Sequence, residues 1–396
     1  MKVALVHDWL PVFSGAERVL AEIMRVVGAS DLYTLYDFLD ERDRAAIGAR
    51  RIYASRLNGL PLVEKYYRWT FPFCPQAMEA FNLSQYDLVI SSSAAFAKGV
   101  IPHPHQKHIA YVHTAVRYAW DQSYEYLSQT PMARFPAGIV LRRLLYGMRM
   151  WDVRTAHSAD MFVANSSIVK RRIEQTYGRR AVVIEPPVDV AEIPLVERKD
   201  DYFVVASRLV PYKRIDLVVR AFSEMPSLRL LVVGDGPEMP RLRALAGTNV
   251  TFTGYLPRPA LIETIQKARA FVFAAYEDFG IVLAEAQAAG TPVVAFGRGG
   301  AADIVAPLQA EKPTGVLFAE QSADAVKRAV ELFCGEERRI SPPVCRANVE
   351  RLAPENFRKR LRALIDDVMQ PEFSRWADAP PRAAAPPLLR AASGAR

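Results

Sequence analysis

Glu277 and Glu285 stand eight positions apart, with an Asp278-Phe279-Gly280 turn and an apolar run between them, and two cations, Arg208 and Lys213, precede them in the chain. Carboxylates accept hydrogen bonds and so suit vicinal hydroxyls. Arg and Lys donate charge-assisted bonds to phosphate, each contributing about 1.5–3 kcal/mol. Acids for hydroxyls beside cations for phosphate are the chemistry of a phosphorylated sugar. Taken singly, each residue has an ordinary alternative: a loop acid, a glutamate on a wet helix face, a solvated base.

Position separates the readings. "AFVFAA" before Tyr276 and Glu277 and "PVVAF" after the helical run are short continuous apolar stretches, the signature of strands buried on both faces. Ligands of open α/β sheets bind outside the carboxyl ends of such strands. The run "IVLAEAQAAG", opening at Ile281 and Val282, is almost wholly apolar or small, so its helix is expected to be buried and Glu285 to need a partner. Its first amides lack internal acceptors and, with the helix dipole, make an anion site. Gly280 removes the side chain that would block a phosphate. Arg208 follows the strand "YFVVAS" and Lys213 heads the next helix. Gly234 lies in the turn "GDGP" after "LLVVG", which can equally be a purely structural turn. Tyr255 follows "VTFTG", with Gly254, where a nucleobase can lie.

The same rhythm fills the first half. Strands are predicted at "KVALVH", "DLYTLY", "DLVISS", "HIAYVH", "MFVANS" and "AVVIEP", and in the second half at "YFVVAS", "LRLLVVG", "VTFTG", "AFVFAA", "PVVAF" and "GVLF". Alternation with helical patterns implies an α/β chain of two Rossmann-like doubly wound domains facing across a cleft. Residues 1–188 form the first domain, 189–354 the second and 355–372 a closing helix that crosses back. Residues 373–396, rich in Ala, Pro and Arg, form a disordered tail. In the first domain, Gly15 and Ala16 bring backbone amides towards phosphate and Glu17 caps the helix they open. The three-glycine nicotinamide fingerprint is missing there. His113 ends a strand and leads into Arg117, Tyr118, Trp120 and Asp121, an aromatic and charged loop suited to a sugar acceptor.

With 396 residues, 51% of them hydrophobic, the chain can bury two cores. Three cysteines without a pairing pattern fit a reducing compartment. The start "MKVALVHDW" meets His7 and Asp8 too early for a secretory leader and reads as a first strand. A net charge of +8 favours anionic partners, yet no nucleic-acid-binding signature is present and none is expected as partner. His103, His105 and His108 lack a neighbouring carboxylate or cysteine, so no metal is expected. "VEKYYRWTFPF" and "GIVLRRLLYGMRMWDVR" mix basic, aromatic and apolar residues, which suits either a wet-faced core element or an anionic membrane surface.

"SRLVPYKRID", "GDGP", "FTGYL" and "EDFGIVLAEAQAAGTPVVAF" resemble, in order and spacing, the C-terminal half of family 4 retaining glycosyltransferases of the GT-B fold. More loosely, "HDWLPVFSGAERVL" resembles the family's glycine loop, and "YVHTAVRYAWD" resembles the branch of bacterial O-antigen and capsule mannosyltransferases. The resemblance implies that Arg208 and Lys213 hold the donor diphosphate and that Glu277 contacts the donor sugar. It implies that Phe279, Gly280 and Ile281 turn backbone towards sugar and phosphate, that Glu285 binds ribose, and that Gly15 lies near the phosphates with His113 near the sugar. "PPVD" at Pro186–Asp189 and Ser14-Gly15 depart from the family's usual Asn-Gly-Val-Asp and Gly-Gly. The expectation is a metal-independent hexosyltransferase, cytoplasmic and peripheral on the inner face of a bacterial membrane. It is expected to take a nucleotide-diphosphate sugar, GDP-mannose first, and a lipid-linked saccharide. A UDP-sugar donor, a nucleotide-sugar epimerase, a Rossmann oxidoreductase and a non-catalytic scaffold are the alternatives.

Overall fold

In a computed structural model, which describes residues 1–117, 119–120, 123, 127, 137–371 and 373, the apolar runs become two wholly parallel sheets. The first holds β1 (Val3–His7), β2 (Asp31–Thr34), β3 (Arg51–Ala54), β4 (Leu88–Ser93), β5 (Lys107–Val112), β6 (Met161–Ala164) and β7 (Ala181–Val183), in the order 3-2-1-4-5-6-7. The second holds β8 (Phe203–Ala206), β9 (Leu230–Val233), β10 (Val250–Gly254), β11 (Ala270–Phe273), β12 (Val293–Phe296) and β13 (Gly315–Phe318), in the order 10-9-8-11-12-13. Both are doubly wound, and in each the order reverses beside its first strand, where ligand crevices open. Central strands are buried on both faces: Leu5, Ile90, Val204, Phe271 and Val294 are essentially inaccessible. The twelve strands expected from apolar runs all form. β3 was not anticipated, because as an edge strand reading Arg-Ile-Tyr-Ala it is largely exposed and needs no apolar run.

Among the helices are α1 (Gly15–Val27), α2 (Ala137–Thr155), α3 (Ser167–Tyr177), α4 (Ile281–Ala288) and α5 (Pro354–Val368), of which α1 and α4 contribute residues to the cleft. Glu17 caps α1 as expected: the Ser14 N–H and hydroxyl both donate to its Oε2, at 3.0 and 2.9 Å. α5 closes back onto the first domain. Phe357, Leu361, Ile365 and Val368 recur on one face and share a core with Val19, Leu20, Ile23 and Met24 of α1. Arg358 adds a 2.7 Å bond to Glu22. Tyr118, Asp121 and the tail beyond Phe373 lie outside the described residues.

Candidate active site

One cleft of about 780 Å³ runs between the two sheets at the carboxyl ends of their strands, a size that suits a small-molecule site. Gly15, Ala16, His113, Arg117, Arg208, Lys213, Gly234, Tyr255, Glu277, Phe279, Gly280, Ile281, Val282 and Glu285 all line it. The reason is topological. His113 follows β5, Arg208 follows β8, Gly234 follows β9, Tyr255 follows β10 and Glu277 leaves the strand end of β11. Residues far apart in sequence thereby meet at two facing sheet edges. Trp120 does not join them. Its indole donates to Asp152 Oδ2 at 2.8 Å and its ring packs on the core of the first domain. An aromatic beside a charged loop looks like a sugar platform in sequence, but this one has a buried carboxylate to satisfy instead.

α4 begins where Gly280 adopts φ +88°, a left-handed conformation, and no side chain caps it. The turn before it is held from below. Gly300 donates its N–H to the Glu277 carbonyl at 2.9 Å, and a Cβ on Gly300 would strike the Phe279 backbone at 2.0 Å. The adjacent Gly299-Gly300 pair, which the sequence reading did not use, is therefore the support on which the Glu277–Phe279 turn rests.

The charges sort into one unpaired cation and several bridges. Arg208 is exposed in the cleft, and its guanidinium makes no hydrogen bond or ion pair with the described residues. Lys213 touches Glu277. Burial, followed by the Arg117 cation, pushes the Lys213 ammonium down to about 8, against the opposing pull of Asp278; contact with the Glu277 carboxylate also opposes the fall. Glu285, 6% exposed, accepts a 2.5 Å bond from Arg258 Nη1 and lies 3.5 Å from Arg18 Nη1. The partner demanded by a buried glutamate is thus supplied by two arginines that the sequence reading missed, one from each domain.

Among the described residues Arg351 pairs with Glu185 across the domain boundary, and three further side-chain bridges join the domains. Arg172 of α3 pairs with Asp278, Arg117 Nη1 stands 3.6 Å from the same carboxylate, and Arg117 Nη2 donates to the Tyr276 carbonyl at 3.2 Å. Ser167 donates its N–H and hydroxyl to Asp303 at 2.8 and 2.6 Å. The Arg18–Glu285 approach is the third. No local signal marks these residues, since each partner pair is separated by more than a hundred positions.

On the first-domain wall, His113 Nε2 lies 2.8 Å from Ser92 Oγ, and His7 Nδ1 lies 3.1 Å from the same hydroxyl. Burial, with His7 nearby, pushes the His113 imidazole down to about 3. His103 and His105 face each other, whereas His108 is buried in the sheet with Nε2 2.8 Å from Ser91 Oγ, so the three do not converge.

Chemically, the cleft offers a free guanidinium, an ammonium and an uncapped helix start on one side, two carboxylates beside them, and a neutral imidazole opposite. Residues 13–192 match the family described as Glycosyltransferase Family 4, and residues 191–344 that described as Glycosyl transferases group 1. A Corynebacterium glutamicum protein, a GDP-mannose-dependent monoacylated alpha-(1-6)-phosphatidylinositol monomannoside mannosyltransferase, is 35% identical over 161 residues, covering 36% of this chain and 41% of that protein. A Mycolicibacterium smegmatis GDP-mannose-dependent alpha-(1-6)-phosphatidylinositol monomannoside mannosyltransferase is 30% identical over 221 residues, 48% of this chain and 56% of that one. The chain spans about half the length of the curated relatives it matches. Among solved structures, sucrose-phosphate synthase from Thermosynechococcus elongatus aligns with a TM-score of 0.68 at 19% identity, over 92% of this chain and 98% of that one. Anabaena Alr3699/HepE in complex with UDP-glucose aligns at 0.63 and 15% identity, over 92% and 100%.

Proposed function

Because the chain belongs to the family 4 glycosyltransferases, with two Rossmann-like domains in the GT-B arrangement, we propose that it transfers mannose from GDP-mannose to a lipid-linked saccharide in surface polysaccharide synthesis, with retention and without a metal ion. The observation that carries this reading is the unpaired Arg208 beside Lys213 and the α4 start, opposite an imidazole and next to Glu277 and Glu285. The names of the mannosyltransferase relatives favour GDP-mannose over other donors.

In this reading the diphosphate lies between Arg208, Lys213 and the first amides of α4. Glu277 accepts from sugar hydroxyls, and Glu285, held by Arg258 and Arg18, accepts from ribose. The nucleobase lies near Gly254 and Tyr255, whose ring is exposed at the cleft edge. The acceptor hydroxyl attacks the anomeric carbon from the face that the phosphate leaves. The C–O bond to phosphate breaks, the leaving oxygen takes the acceptor proton, and the new glycosidic bond forms on the same face. The protein's contribution is electrostatic: fixed cations neutralise charge as it grows on the leaving group.

The same reading assigns a docking face to the first domain. Trp69, Phe73, Ile139, Val140 and Leu144 are exposed around an apolar groove between residues 71–75 and α2. Lys65, Arg68, Arg142 and Arg143 are exposed beside them. Aromatic, aliphatic and basic side chains together suit an anionic leaflet that presents the acceptor. Among the described residues no helix is long and apolar enough to cross a membrane.

A thermal-shift panel of GDP-, UDP- and ADP-sugars followed by a transfer assay tests the donor reading. GDP-mannose is expected to raise Tm by mass action, and α-linked product is expected to form in the presence of EDTA. A preference for a UDP-sugar would reassign the donor. Conversion of donor without any acceptor would make the protein an epimerase, and no shift with any nucleotide sugar would remove the assignment.

A further inference from the structure

His113 is one of the first-domain residues that line the cleft, and what it can do there depends on which nitrogen carries its proton. Behind it runs a chain of polar groups drawn from three more elements. Glu17 Oε1 of α1 lies 3.6 Å from His7 Nε2, at the end of β1. His7 Nδ1 lies 3.1 Å from Ser92 Oγ of β4, its register partner across the sheet. Ser92 Oγ lies 2.8 Å from His113 Nε2, just past β5. His7, Glu17 and Ser92 are almost completely buried, at 3%, 4% and 1% exposure. None of the three lines the cleft, and the reaction outlined above does not use them.

The hydrogen count along this chain has a direction. Burial pushes the Glu17 carboxyl up, but its contacts with His7 and Ser14 outweigh that and hold it below the usual value, so it is an acceptor only. It therefore draws the His7 proton onto Nε2. With one proton on His7, on the nitrogen that faces the carboxylate, Nδ1 is the acceptor and the Ser92 hydroxyl donates to it. The single proton of Ser92 is now committed, so its oxygen must accept from His113 Nε2–H. His113 Nδ1, which has no protein partner among the described residues, is left with a lone pair.

We propose that Glu17, His7 and Ser92 are positioning residues that fix the tautomer of His113, so that its Nδ1 meets a donor-sugar hydroxyl as a hydrogen-bond acceptor. The proposal rests on the reading of the cleft as a sugar-nucleotide site. It gives the relay two consequences. The imidazole favours a donor sugar with a hydroxyl at that place over a deoxy sugar, because only the hydroxyl can donate. It also places no cation beside a sugar that gains positive charge as the phosphate leaves.

The test is read first without turnover. Long-range proton–nitrogen correlation spectra of the full chain labelled with ¹⁵N-histidine, recorded without substrate, are expected to show His113 protonated at Nε2 and bare at Nδ1. Ser92→Ala is expected to mix the two tautomers and lower kcat/KM for the donor about tenfold, the loss of one hydrogen bond. Ser92→Thr, which keeps the hydroxyl, is expected to restore both. Glu17→Gln keeps the cap on Ser14 and is expected to disturb the His113 tautomer from three residues away. A proton on Nδ1 of the wild-type His113 overturns the proposal, as does a tautomer that is the same in Ser92→Ala, Ser92→Thr and Glu17→Gln. The spectra need no donor or product, so failure of the relay is distinguishable from failure of the transferase reading. If a variant does not fold, the wild-type spectrum alone still decides.

Discussion

In the proposed reading Lys213 and Arg208 hold the same diphosphate with different chemistry. A guanidinium keeps its charge at any working pH, whereas Lys213 is already pushed down to about 8 by burial and Arg117. Lys213 is therefore charged below about pH 8 and loses its charge as pH rises through that value. Donor affinity is expected to weaken on that limb, and Lys213→Met is expected to abolish the limb while leaving the affinity weak throughout. Stability should move the other way. The folded-state value lies below the ordinary 10.5, so between about pH 8 and 10.5 the unfolded chain binds more protons and this group's contribution to stability rises with pH. Calorimetric donor titrations beside denaturant melts at pH 7, 8 and 9 would show opposite slopes; parallel slopes would mean that Lys213 is not the titrating group. Arg208→Ala should lower kcat about 10²–10³-fold with an unchanged limb. In the sequence these residues were legible because strand-edge position can be read from the apolar run before them. Arg18, Arg172 and Asp303 were not, because nothing in a residue's neighbours reveals a partner on the opposite domain, and Arg258 was not, because its partner Glu285 in the same domain is 27 positions away.

Elements explain why the turn at Gly280 matters more than its length suggests. The strands were legible because parallel strands buried on both faces must be continuous apolar runs, and the amphipathic face of α5 announced a docked helix. β3, an edge strand, carried no such pattern, and the glycine pair under the Glu277–Phe279 turn gains meaning only when β12 brings it beneath that turn. Gly280 sits at φ +88° and an added Cβ would lie 3.2 Å from Leu283 Cδ1. Gly280→Ala is expected to cost about 1–2 kcal/mol of stability from the left-handed backbone and to raise the donor Kd about tenfold by tilting the first amides of α4. Gly178→Ala is the control: φ is +64° at the end of α3, with open space around the Cβ position. It should show a similar stability loss in urea melts and an unchanged donor Kd. Equal effects on donor binding in the two variants would show that the α4 start is not the phosphate site.

At the scale of the whole molecule, charge and apolar exposure are unevenly shared. The chain carries a net charge of +8, and the face around Trp69 and α2 combines exposed basic and apolar groups that a fully water-facing surface does not require. If this face meets an anionic leaflet, two forces hold it there and they respond to different changes. Apolar insertion depends on Trp69 (68% exposed) and Val140 (62% exposed) and is insensitive to salt. Attraction by Arg142 and Arg143 contributes about 1 kcal/mol each near a charged surface and fades within a Debye length. Removing both arginines as Arg142→Ala/Arg143→Ala is therefore expected to weaken binding to phosphatidylglycerol vesicles roughly thirtyfold at low salt. The same pair of changes should matter little in high salt or on phosphatidylcholine. Trp69→Ala/Val140→Ala should weaken binding under all of these conditions. Vesicle co-sedimentation separates the cases. Wild-type protein that stays in the supernatant with anionic vesicles, or variants that sediment like the wild type, would detach this face from the membrane. The proposed lipid-linked acceptor would then have to reach the cleft by another route.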